Sequence, residues 1–139
     1  MAERVLWTEN IKQYFGGIKA VQNVSIDVNL EEIVGIIGPN GAGKTTFFNN
    51  ITGLTKPTAG KVFFKGQDIT GLQPHQITKM GIARTFQNIR LFEHMTVIEN
   101  VKVGMHPQTD ATTFDSIFRL PRHRRTERKA EEKSLEILV

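Results

Sequence analysis

The stretch Gly38-Pro39-Asn40-Gly41-Ala42-Gly43-Lys44-Thr45-Thr46 gathers three glycines, one lysine and two threonines into nine positions. Its first eight residues fit the spacing GxxxxGK[ST] of a phosphate-binding loop. The chemistry follows from the residue types. Glycines permit backbone angles that a Cβ forbids, so consecutive N–H groups turn inward around an anion. A helix beginning at the end of the loop adds its unpaired N–H groups and the positive end of its dipole. Lys44 supplies a point charge for the β- and γ-phosphates, and the Thr45 hydroxyl a ligand for Mg²⁺.

Such a loop works only if a strand and a helix hold its two ends. Val24-Ser25-Ile26-Asp27-Val28-Asn29-Leu30 alternates apolar and polar residues, which predicts a strand with one wet face in an antiparallel sheet. Ile33-Val34-Gly35-Ile36-Ile37 is apolar throughout, which predicts a short parallel strand covered on both faces. Beyond the loop, Phe47 and Ile51 lie four apart and Gly53 offers a stop, the pattern of a helix over 44–52. The order is buried strand, glycine loop, helix.

With 139 residues and 39% hydrophobic content, the chain is about one domain long. The absence of cysteine excludes disulfides and thiolate metal sites. The opening residues Met1 to Glu9 lack the apolar core of a secretory signal, and no apolar run approaches the length of a membrane span. A soluble, unexported chain is expected. Residues 119–139 carry 7 Lys/Arg against 4 Asp/Glu, so 7 − 4 = +3 of the +4 net charge is local to that end. The run Arg122-His123-Arg124-Arg125 reads as a solvated helix face. With only Phe114 and Phe118 nearby, it has no stacking platform for bases, and no nucleic-acid partner is expected.

Four segments then carry a resemblance: "YFGGIKAVQNVSIDV", "GPNGAGKTTFFNNITGLTKPTAG", "GIARTFQNIRLFEHMTVIENV" and "RLPRHRRTERKAEEKSLEIL". Together they resemble the ATP-binding subunits of ABC transporters over essentially the whole chain. The likeness is strongest to the branched-chain amino acid uptake subfamily, with urea-uptake and lipopolysaccharide-export ATPases similar over the same segments. No Asn-Lys-x-Asp run, the guanine reader of GTPases, occurs. The resemblance implies an α/β fold: a P-loop core with an antiparallel β subdomain over 1–95, and the start of a helical subdomain over 96–139. The antiparallel sheet is expected from segments near 4–9, 20–30 and 61–65.

Roles follow by the same likeness. Gly38, Pro39, Asn40, Gly41, Ala42, Gly43, Lys44, Thr45 and Thr46 would bind ATP. Phe15, with Tyr14 as competitor, would stack on adenine. Gln87 would touch Mg²⁺ and the attacking water, and Asn88 to Phe92 would lie against a membrane subunit. Implied partners are transmembrane permease subunits and a second ATP-binding subunit, on the inner face of the plasma membrane.

Thr96-Val97-Ile98-Glu99 reads as a capping box opening a helix that His106-Pro107 should end. From about Thr126, helix-forming composition continues with Ala130, Leu135 and Leu138 as a partial apolar stripe. Hydrolysis in this family needs an adjacent Asp-Glu after an apolar run, but the acidic pairs here are Glu31-Glu32 and Glu131-Glu132. The family's Ser-Gly-Gly-Gln signature is also absent, Gly16-Gly17 being the only Gly-Gly. The 139-residue chain is therefore expected to bind MgATP without turning it over.

Overall fold

A computed structural model describes residues 3–87, 91–105 and 132–138. It divides into two compact units, Met1–Arg84 and Thr85–Val139.

The first unit is organised by a long strand, β1 (Arg4–Phe15), which pairs antiparallel with β2 (Ile18–Val24), β3 (Asp27–Asn29) and β4 (Ala59–Phe64). A two-residue strand, β5 (Gln67–Asp68), completes the sheet beside β4. The path is β2-β1-β4-β5, with β3 on β1. The antiparallel sheet anticipated from the sequence is thus present.

The buried positions of β1 change phase along the strand, from Thr8 to Ile11 and Gln13. An irregularity in the β1–β4 register between Glu9 and Lys12 makes the change. Asn10 sits there at φ 51°, a conformation that asparagine tolerates better than most residues. The Ser25 hydroxyl accepts the Asn10 N–H at 2.8 Å. Opposite, Gly60 lies so close that a Cβ on it would collide with the carbonyls of Glu9 and Asn10. One bulge therefore lets a single strand serve two faces.

The alternation at 24–30 is real but is split. Val24, Ile26 and Val28 are partly buried as expected, but so is Asn29, and Leu30 is exposed; the pairing is shared between β2 and β3. Between them, Thr8 N–H donates to the Ile26 carbonyl and Ile26 N–H to the Thr8 hydroxyl.

Against the sheet pack α1 (Lys44–Ile51) and α2 (Pro74–Met80). Ile11, Val21, Phe47, Ile51, Val62, Phe64, Ile69 and Ile77 form the core. Helix α1 ends as anticipated, with Thr52 as C-cap and Gly53 just beyond. Pro74 at the first turn and a Gln73/Gln76 capping box open α2. The Arg84 guanidinium closes the unit by donating to Asn49 Oδ1 (2.7 Å) and Thr52 Oγ1 (3.2 Å) at the carboxyl end of α1. That end carries no basic residue of its own, so Arg84 supplies the complementary charge.

The strand expected at 33–37 is a correction. These residues join no sheet, and Ile33 is 99% and Ile37 95% exposed. Only Ile36 packs against the core. An apolar run becomes a strand where neighbours accept and return its backbone hydrogen bonds, and among the described residues none lies alongside it.

The second unit contains α3 (Val97–Met105). The expected capping box opens it: Thr96 N–H donates to Glu99 Oε2 at 2.7 Å, and Glu99 N–H to Thr96 Oγ1 at 3.4 Å. Residues 132–138 are helical, and Leu135 and Leu138 of the anticipated stripe are exposed there. His106, Pro107, Phe114, Phe118, Arg122 to Arg125, Thr126, Ala130 and Glu131 lie outside the described residues.

Candidate functional site

The glycine loop runs into α1 with no side chain capping the helix. Gly43 is the N-cap at φ 83°, and the first turn carries no acidic residue. The first intrahelical bond is Phe47 N–H to Gly43 O at 2.9 Å. An uncapped, carboxylate-free amino end leaves its N–H groups and dipole for an external anion. Phe47 and Ile51, both buried, anchor the opposite face of α1 in the core and so hold that end in place.

Gly43 also makes the closest approach between loop and sheet. A Cβ there would overlap the Ala20 carbonyl oxygen of β2. Glycine is required on two counts, the left-handed backbone and the contact.

Lys44 folds back over the loop, its Nζ donating to Gly38 O at 2.5 Å and Pro39 O at 2.8 Å. A turn bonded from Ala42 N–H to Pro39 O at 3.2 Å shapes the loop beneath it. Among the described residues the ammonium is thus held by two loop carbonyl oxygens. Thr45 is exposed, and Thr46 partly so, in the first turn of α1. Asn40 and Gly41 are exposed at the loop's outer bend, with Gly41 at φ 84°.

A cavity of about 430 Å³ opens beside the loop, lined by Gly41 to Lys44 on one side and Lys19 to Gln22 on the other. Val24, Ile26, Ile36, Ile37 and Phe47 complete its wall. Phe15 is not among the lining residues. It lies at the end of β1, half-exposed and paired in register with Ile18, while Tyr14 pairs with Lys19. The Tyr14 N–H donates to Thr58 Oγ1 at 3.1 Å.

Gly41 to Lys44 and Lys19 to Gln22 therefore line one cavity. Gln87 belongs to the second unit and is exposed. Of the segment expected to face a membrane subunit, Asn88 to Arg90 lie outside the described residues, and Leu91 and Phe92 are exposed. Among the described residues no helix is long and apolar enough to cross a membrane. Two features escaped the sequence reading: the seating of Gly43 on Ala20 and the Arg84 clamp on α1. Both are contacts between segments distant in the chain, Gly43 with Ala20 and Arg84 with Asn49, and neither has a local sequence signal.

The ABC transporter family model matches residues 21–136. The chain belongs to the ABC transporter family and has the α/β fold of its P-loop ATP-binding cassettes. It is 45% identical over 130 residues to the high-affinity branched-chain amino acid transport ATP-binding protein LivG of Escherichia coli (strain K12), covering 94% of this chain and 51% of that relative. The BraF protein of Pseudomonas aeruginosa, of the same description, is 42% identical over 132 residues, 95% of this chain and 52% of its own length. Among solved structures, the ADP conformation of MJ1267, an ATP-binding cassette of an ABC transporter, superposes with a TM-score of 0.69 at 42% identity. That match covers 85% of this chain and 46% of the other. The chain spans about half the length of the relatives it matches.

Proposed function

We propose that Gly38 to Thr46 hold the phosphates of ATP as part of a cassette that powers solute import. The observation that carries this reading is the pairing of an uncapped amino end of α1 with a Lys44 ammonium that, among the described residues, bonds to the loop carbonyls Gly38 O and Pro39 O. An entering triphosphate offers that ammonium anionic oxygens in place of neutral ones, and such charge-assisted bonds are the stronger. The loop N–H groups and the amino end of α1 meet the same oxygens. Thr45 Oγ1 would hold Mg²⁺ and Gln87 would meet the metal and the attacking water, the metal drawing charge from the β- and γ-phosphates. Phe15, or Tyr14 beside it, would stack on adenine.

The boundary we propose between the ATP-binding core and the helical subdomain lies near residue 95. For the whole cassette, the LivG and BraF likeness supports ATP hydrolysis driving branched-chain amino acid import. Its partners would be membrane-embedded permease subunits and a second ATP-binding subunit, the latter in keeping with a similar cassette whose structure is dimeric, bound to ADP and phosphate. It would work at the cytoplasmic face of the membrane. The 139-residue chain itself, without an Asp-Glu pair or Ser-Gly-Gly-Gln, would bind MgATP and not turn it over.

Calorimetry with ATP and Mg²⁺ tests the loop. Lys44→Ala should weaken binding about tenfold or more, the loss of one charge-assisted contact. Equal affinity in the two proteins would refute the phosphate role, and turnover by the wild-type chain that Lys44→Ala abolishes would refute the binding-only reading.

A further inference from the structure

We propose that Lys19 contacts the phosphate nearest the ribose of a bound nucleotide, an inference that rests on the ATP reading of Gly38 to Thr46. Three placements carry it. At the aromatic end, Tyr14 stands opposite Lys19 in the β1–β2 pairing and Phe15 opposite Ile18. At the phosphate end, Gly43 is packed against the Ala20 carbonyl, so the residue after Lys19 touches the N-cap of α1. Between the two, Lys19 lines the same cavity as Lys44, and no carboxylate lines it with them. Lys19 is exposed and forms no ion pair among the described residues.

A nucleotide bridging these ends has its base by the aromatic turn and its terminal phosphates over Gly41 to Lys44. Its α-phosphate then lies midway, beside β2. Lysine suits that place because a flexible, compact charge neutralises a phosphate oxygen without a demanding geometry. The division of labour is specific. Lys44 serves the β- and γ-phosphates, which distinguish ATP from AMP, and Lys19 serves the α-phosphate, which ATP, ADP and AMP share.

The test is competition of ATP, ADP, AMP and adenosine against a fluorescent ATP analogue at fixed ionic strength. It compares wild type, Lys19→Ala, Lys19→Gln and Lys19→Arg, with circular dichroism to establish folding. Removing the charge should weaken ATP, ADP and AMP by a similar factor, about fivefold to tenfold, leave adenosine unchanged, and be largely restored in Lys19→Arg. Wild-type affinities in both neutral variants would overturn the assignment, as would a loss confined to ATP. If Lys44→Ala weakens ATP while the Lys19 variants do not, the nucleotide site stands and Lys19 is excluded. If neither lysine matters, the nucleotide reading itself falls and this inference with it.

Discussion

Asn50 Nδ2 donates to Gln13 Oε1 at 2.9 Å, joining two buried side chains 37 residues apart. The bond ties α1, the helix that begins at the glycine loop, to the carboxyl end of β1. The same amide nitrogen donates to the Thr55 carbonyl at 3.0 Å, bringing the chain after the helix into the link. A polar pair in an apolar layer contributes through the bonds it makes and loses part of that to any atom left orphaned; among the described residues Asn50 Oδ1 is buried without a partner.

Asn50→Ala is therefore expected to lower stability by about 1 to 3 kcal/mol, because Gln13 Oε1 and the Thr55 carbonyl lose their donor. Urea unfolding of wild type, Asn50→Ala, Gln13→Ala and the double variant measures it. Strictly additive losses would show that the two side chains do not act as a pair.

Gly43→Ala should cost about 2 kcal/mol or more, combining a left-handed backbone with a Cβ forced onto the Ala20 carbonyl. Nucleotide binding should fail with it. A variant of unchanged thermal midpoint would mean that loop and β2 are not in contact.

Ile33→Lys and Ile37→Lys should each change stability by no more than about 0.5 kcal/mol, since both side chains already face solvent. Ile11→Ala, in the core, should cost about 2 to 5 kcal/mol. Comparable losses at all three positions, read from denaturant midpoints, would show that 33–37 is covered after all.

The Thr96 backbone N–H, and then its hydroxyl, hold the Glu99 carboxyl below its usual range. Because the folded form favours the carboxylate, the cap is at full strength above the ordinary glutamate value. It weakens as pH falls through the lowered one. An NMR titration of Glu99 should give a midpoint below that of a free glutamate, and Thr96→Ala should return it upward. An unshifted midpoint would remove the cap from this account.

Local chemistry was legible in the residues themselves. Gly41, Gly43 and Lys44 announce a phosphate loop because motif, helix start and charge are all encoded within a few positions. The Thr96/Glu99 cap was legible for the same reason, and so were the antiparallel strands with their alternation. The Gln73-Pro74 start of α2 carries a local signal of the same kind, with Gln76 at the third helical position. What could not be read was contact between distant segments. Nothing near Asn50 names Gln13, and nothing near Arg84 names Asn49. The misreading of 33–37 has the same root, since apolar composition expresses a demand for covering neighbours and not their presence.

The exposed run Ile33-Val34-Gly35-Ile36-Ile37 has a practical consequence. Uncharged, proline-free and rich in β-branched side chains, it has the composition from which intermolecular β-pairing and aggregation begin. Glu31 and Glu32 stand immediately before it as exposed gatekeepers, and their repulsion between copies is screened by salt. Solubility of the purified chain should accordingly decline as ionic strength rises, with concentrated stocks the first to turn cloudy.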